Sequence, residues 1–254
     1  MPPTRHTARR DPSAAPTLAE VRDQIVNCTA CPRLRDYCQR IAREKKRAHR
    51  DDTYWGRPVP GFGDPDARVV VIGLAPAAHG ANRTGRVFTG DGVGGSCDFL
   101  MTAMHAHGFA NQPTSHHAGD GLRLSGAFIA AVCRCAPPDN KPLPFEIAAC
   151  RQHLDAELAA LPNVRVVVAL GRIASDACWR KYRPEGPSAV TRPAFAHGQV
   201  IDLGTAGVPI IVESYHPSRQ NTNTGRLTRS MWHGVFAAAR ERLKPSQAAR
   251  RLAR

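Results

Sequence analysis

His216 stands directly before a proline in the segment Tyr215-His-Pro-Ser-Arg-Gln-Asn-Thr-Asn-Thr-Gly225, which follows an apolar run ending at Glu213. A following proline restricts the backbone of the residue before it, so this imidazole is positioned rather than loose. In that place it can donate a hydrogen bond to a group that leaves carrying negative charge. Ser218 and the neighbouring amides can bind a phosphate, and Arg219 and Gln220 are long enough to reach into a ligand. A lone histidine at a strand end can also be purely structural, so its weight comes from its company.

That company is the segment Gly73-Leu-Ala-Pro-Ala-Ala-His-Gly-Ala-Asn-Arg-Thr-Gly-Arg-Val-Phe-Thr-Gly-Asp91. Small residues dominate from Ala75 to Ala81 and let backbone N–H groups approach a ligand closely. Phe88 is an apolar plate in an otherwise polar loop, suited to stacking on a planar base, or else to plugging the core. Asp91 is the only carboxylate in the segment. It is the natural group to hold a water; the alternative is an N-cap for the helix expected from about Gly94. His79 reads as a solvated loop residue.

Cysteines form a second constellation. Cys28 and Cys31 make a C-x2-C pair, and fourteen residues separate Cys135 from Cys150. Four thiolates brought together can hold zinc or an iron–sulfur cluster. Four buried core thiols are the alternative. Cys133 competes with Cys135, because residues two apart in extended chain face the same way; Cys135 is preferred because it sits at the loop, before Pro137 and Pro138. Cys38, Cys97 and Cys178 fall in helical patterns and read as packing.

These groups need elements to hold them. Arg68–Gly73, Ala127–Val132, Val164–Gly171 and Val208–Glu213 are short β-branched runs of the kind found in buried parallel strands. Helical patterns over about 94–107, 145–160, 172–180 and 227–243 alternate with them. Two more helical stretches precede them, one from near Thr17 and one over Leu34–Lys46 with a basic run (Arg40, Arg43, Lys45, Lys46, Arg47). Residues 47–66, rich in Gly, Pro and Asp, read as a loop. The alternation predicts a three-layer α/β/α domain around a central, mostly parallel, four-stranded sheet. In such sheets ligands bind beyond the carboxyl ends of the strands. Three polar segments fall there: Leu74–Asp91, Arg134–Lys141 and Ser214–Gly225. The expected organisation is a disordered basic N-terminus (1–16), one folded domain (17–243) and a basic tail (244–254).

The formal charge is +14, which favours a polyanionic partner, DNA or RNA first. No window approaches a membrane span, and Met1 to Pro16 lacks the apolar core of a secretory signal. The expectation is a cytoplasmic, nucleoid-associated monomer whose eight cysteines are not a disulfide framework.

At this point the residues resemble a known family. Gly73-Leu-Ala-Pro-Ala with Gly85-Arg-Val-Phe-Thr-Gly-Asp91 resembles the first motif of the uracil-DNA glycosylase superfamily, and His216-Pro-Ser-Arg-Gln-Asn resembles its second. Cys135-Ala-Pro-Pro-Asp-Asn-Lys-Pro with Cys150 and Cys28-x2-Cys31 resembles the pattern of its iron–sulfur branches. The narrow uracil-specific branch carries Glu-Ala-Pro-Gly where this chain has Leu74-Ala-Pro-Ala77. The resemblance is therefore to the other branch, family 5 or type B, which accepts a wider set of bases. It implies a [4Fe–4S] cluster on Cys28, Cys31, Cys135 and Cys150. It implies Phe88 stacked on a flipped base, His216 on that base, Asp91 near the attacked sugar and Asn140 at the active site. Gly73, Leu74, Ala75, Pro76, Ala77, Ser218 and Arg219 would bind the substrate, and Arg219 and Gln220 could fill the gap left by the extruded base. The implied partner is single- or double-stranded DNA carrying uracil or another damaged base such as hypoxanthine. Leu74-Ala75 replaces the acidic group that the best-known relatives use to position water, so Asp91 or backbone groups must do so. The rival readings are a non-enzymatic iron–sulfur DNA-binding or redox-sensing protein, the uracil-only branch, and a zinc-bound nucleotide-binding enzyme.

Overall fold

The computed structural model describes residues 16–92, 94–184 and 190–244. The expectations for residues 1–15 and 245–254 lie outside the described residues. Helix α1 (Leu18–Val26) opens on a capping box, in which Thr17 and Glu20 satisfy each other's backbone N–H. Helix α2 (Pro32–Glu44) follows, started by proline at its first position.

The remaining elements are β1 (Phe62–Gly63), β2 (Val69–Gly73), α3 (Ala81–Thr84), α4 (Ser96–Ala106), β3 (Ala127–Ala131), α5 (Pro144–Ala159), β4 (Val166–Leu170), α6 (Arg172–Tyr182), β5 (Val200–Ile201), β6 (Ile210–Ser214), α7 (Arg219–Asn223) and α8 (Arg229–Arg242). The sheet has six strands in the order β1-β3-β2-β4-β6-β5. This corrects the expected four. The four expected strands form the parallel centre, β3-β2-β4-β6. Strands β1 and β5 are antiparallel edge strands of two residues each, too short to carry a hydrophobic period.

Period-two alternation sorts the central strands onto two faces. Val69, Val71, Ile129, Val166, Val168 and Val212 pack with Leu100 and Met104 of α4 and Trp232 and Phe236 of α8. Val70, Ile72, Phe128, Val167 and Ile211 pack with Leu154 and Leu158 of α5 and Trp179 of α6. The result is the expected three-layer α/β/α arrangement. The chain leaves β2 toward α4 on one face and leaves β3 toward α5 on the other, so a crevice opens between their carboxyl ends. No helix of the described residues is long and apolar enough to cross a membrane.

Candidate active site

A cavity of about 580 Å³ occupies that crevice. Its lining includes Leu74, Ala75, Pro76, Ala77, Phe88 and Asp91 from the loop after β2. Asp139 and Asn140 come from the turn after β3, and His216, Ser218, Arg219 and Gln220 from the loop after β6. The three loops singled out in the sequence therefore meet at one place. Gly73, which precedes the lining residue Leu74, leaves space beside the Phe88 ring. A Cβ there would stand 2.7 Å from Cε2 of Phe88, closer than carbon atoms pack.

The loop after β2 is held under local strain. Phe88 has φ +47, a left-handed backbone that a bulky residue adopts only when its surroundings impose it. Arg86 supplies that constraint. Its buried guanidinium binds Thr89, Ser115 and the Ala118 carbonyl and pairs with both oxygens of Asp120, at 2.8 and 2.7 Å. Burial works against the Asp120 carboxylate, but Arg86 and the N–H groups of Leu122 and His116 outweigh it and hold the carboxyl at about 2. The Phe88 ring thereby faces the His216 imidazole, centroids 6.1 Å apart and planes at 29°.

The exit of β6 fixes His216. The His216 carbonyl accepts from the Ser218 N–H and from the Asn221 side-chain amide, each at 2.8 Å. Ser218 caps α7 by accepting from the Asn221 N–H. One residue upstream of Ser214, the fully buried carboxylate of Glu213 accepts from the Ser175 hydroxyl and from the Ala196 N–H at 3.0 Å. Burial pushes the His216 imidazole down to about 4, so at neutral pH it is uncharged.

Asp91 turns out to serve the helix as well as the cavity. Its Oδ1 accepts the Cys97 N–H at 3.1 Å, inside the first turn of α4, and its carbonyl accepts from Arg219 at 3.3 Å. Cys97 belongs to the cavity lining, and burial together with the Asp91 carboxylate keeps its thiol protonated. Sequence reading assigned Cys97 to packing. Its place six residues after Asp91, at a helix start, is the signal that could have found it. Asp139 and Asn140 have φ +53 and +57, two successive left-handed residues in the turn Pro138–Asn140. Lys46 also lines the cavity, which the basic run over residues 40–47 does not by itself reveal.

The four cysteines expected as ligands belong to α1, α2, α5 and the turn after β3 or to the residues beside them. Cys28 follows α1, Cys31 is the N-cap of α2, and Cys150 lies in α5. Burial, then Cys150, Glu146 and Cys28, raise the Cys31 thiol. Cys31 packs in one apolar cluster with Cys38 and Cys135. The neighbouring Cys150 raises the Cys133 thiol and the neighbouring Cys38 raises the Cys135 thiol, burial adding to both. The Cys38 thiol, read as packing from the sequence, donates to the Ala136 carbonyl at 3.6 Å. Among the described residues no three His, Cys, Asp or Glu side chains converge as a metal site. The Arg134 N–H donates to Cys150 Sγ at 3.2 Å, the kind of bond that supports a thiolate ligand. Between Cys133 and Cys135, the buried Arg134 guanidinium lies 2.8 Å from Glu157 of α5.

Comparison with known proteins adds an independent finding. The sequence profile described as "Uracil DNA glycosylase superfamily" matches residues 60–240. The chain is 48% identical over 216 residues to the type-5 uracil-DNA glycosylase of Thermus thermophilus, covering 85% of this chain and 94% of that one. It is 46% identical over 229 residues to the type-5 uracil-DNA glycosylase of Mycobacterium tuberculosis, covering 89% and 82%. To the type-4 uracil-DNA glycosylase of Archaeoglobus fulgidus it is 29% identical over 163 residues, covering 63% and 70%.

Proposed function

From the premise that the chain belongs to the uracil DNA glycosylase superfamily, we propose that it everts uracil from DNA and hydrolyses the N-glycosidic bond, leaving an abasic site for excision repair. The observation that carries the reading is the apposition of Phe88 and His216 in a cavity fed by three strand-end loops. The cavity has room for a bicyclic base, and Leu74 puts an apolar side chain where a carboxylate would restrict the site. These features support hypoxanthine as a further substrate.

Eversion costs a few kcal/mol, which contacts between phosphates and the basic surface offset. Bond cleavage builds positive charge on the sugar and negative charge on the departing base. Phe88 stacks on the base. The neutral His216 donates its N–H to the base as it becomes an anion, a role that needs no proton of its own to be lost. Asp91 stabilises the sugar cation and orients the attacking water, anchored by the Cys97 N–H. Asn140, from the turn after β3, contacts the substrate from the remaining wall.

The thiol set suits a [4Fe–4S] cluster, with Cys28, Cys31, Cys135 and Cys150 as ligands. Its donors are soft, Cys31 packs in one cluster with Cys135, and Cys150 already accepts a backbone N–H. When bound, the cluster would be a structural cross-link whose iron–thiolate bonds pin α1 and α2 to the turn after β3. The deciding experiment incubates purified, iron-replete protein with oligonucleotides carrying uracil or hypoxanthine, single- and double-stranded, then cleaves abasic sites with alkali. Strand cleavage at uracil is expected; intact strands throughout would refute the proposal.

A further inference from the structure

Lys46 lines the same cavity as Phe88, Asn140 and His216, yet it precedes residues 60–240, which match the superfamily. Its place is built. Helix α2 ends at Glu44, and Lys45, with φ +53, turns the chain. The Lys46 N–H then donates to the buried Tyr54 hydroxyl at 3.4 Å. That hydroxyl lies 3.1 Å from Nδ1 of His79, on the loop after β2 that walls the cavity. The Lys46 carbonyl accepts from the His49 N–H at 2.7 Å. Helix α2 itself is docked twice more. The Asn82 amide of α3 donates to the Cys38 carbonyl at 3.3 Å, and Arg33 binds both carboxylate oxygens of Glu146 in α5 at 2.8 Å.

The side chain, by contrast, is uncommitted. Lys46 is exposed and forms no ion pair among the described residues, whereas nearby Arg40 pairs with Glu44 and Arg50 with Asp51. The other cation in the lining, Arg219, is tied to the Asp91 carbonyl. A nucleotide whose base enters such a cavity leaves its phosphates at the rim. A compact, strongly hydrated ammonium suits a phosphate as a point charge.

We propose that Lys46 is a DNA-phosphate contact of the base cavity, through which the N-terminal helical arm completes the footprint on the everted nucleotide. This rests on the glycosylase reading. Neutralising one phosphate contributes about 0.9 to the slope of log affinity against log salt. The test compares wild type, Lys46→Ala and Lys46→Arg as holoprotein on one uracil-containing oligonucleotide. Fluorescence anisotropy at several salt concentrations gives the slope, and steady-state and single-turnover base release give KM and the saturating rate. Lys46→Ala should lower the slope by about one and raise KM several-fold. Its saturating rate and its preference between uracil and hypoxanthine should stay as in wild type, and Lys46→Arg should restore slope and KM. An unchanged slope in Lys46→Ala overturns the inference. So does a loss confined to the saturating rate, which would put the ammonium on the base. If wild type releases no base, the glycosylase reading fails, while the anisotropy slope still decides whether Lys46 meets phosphate.

Discussion

The Phe88 ring faces the His216 imidazole across 6.1 Å, and Gly73 makes that possible by leaving the ring the space a Cβ would fill. Stacking of a base on an aromatic ring is worth about 1–3 kcal/mol, so Phe88→Ala should lower kcat/KM for uracil release by roughly 10- to 100-fold. Gly73→Ala should do comparable harm through the ring, without touching the substrate itself. Kinetics of both variants check this. A Gly73→Ala enzyme of wild-type activity would show that the ring's position is unimportant.

The neutral state of His216 has a pH signature. Its imidazole titrates at about 4 in the folded protein, against 6.5 for an ordinary histidine. The uncharged ring thus persists through the range where histidines usually gain a proton. The kcat/KM profile should be flat through pH 6.5 and fall only toward pH 4. An inflection near 6.5 that vanishes in His216→Asn would contradict this. Because the unfolded chain takes up that proton more readily, the same burial erodes stability as pH falls from 6.5 toward 4.

Asp91 holds two posts, and two substitutions separate them. Asp91→Ala removes both the charge and the acceptor for the Cys97 N–H. It should lower base release by roughly 10²-fold or more and cost about 1 kcal/mol of stability through the lost cap. Asp91→Asn keeps an acceptor oxygen, so it should lose the activity while nearly keeping the Tm. Both should still bind uracil-containing DNA. If either loses DNA binding in place of catalysis, the assignment to the sugar and water is wrong.

The sequence makes much of this legible because the central strands are unbroken runs buried on both faces, and glycines and prolines mark the loops at their ends. The loops carry unusual residues, a phenylalanine among polar neighbours and a histidine before proline, so they stand out. Strands β1 and β5, of two residues each, have no periodicity to read. The place of Lys46 in the cavity wall and the Asn82 amide on the Cys38 carbonyl arise from chain folding over long separations, and no local pattern encodes them.

Acid should release the Phe88 loop. The Asp120 carboxyl titrates near 3.8 when free and at about 2 in the fold. Its pairing with Arg86 is therefore fully stabilising above about pH 4 and is lost as pH falls toward 2. The loss amounts to about 2 kcal/mol. Thermal melts of wild type and Asp120→Asn should differ at neutral pH and converge in acid. A difference that persists unchanged at the lowest pH would show that the carboxylate charge is not what stabilises the loop.

The cysteine assignment is separable by iron analysis. Cys135→Ser should lose iron and lower the Tm, whereas Cys133→Ser should keep both near wild type. Full iron content in Cys135→Ser, with depletion in Cys133→Ser, would transfer the ligand role to Cys133.

The turn at Asp139 and Asn140 places two adjacent left-handed residues on the cavity wall. Glycine, asparagine and aspartate occupy that backbone cheaply; branched and bulky side chains do not. The vocabulary of the wall is thus set by the peptide before any ligand arrives. Variants seeking new base selectivity have little freedom at these two positions, and adaptation must come from Leu74 and the other side chains around them.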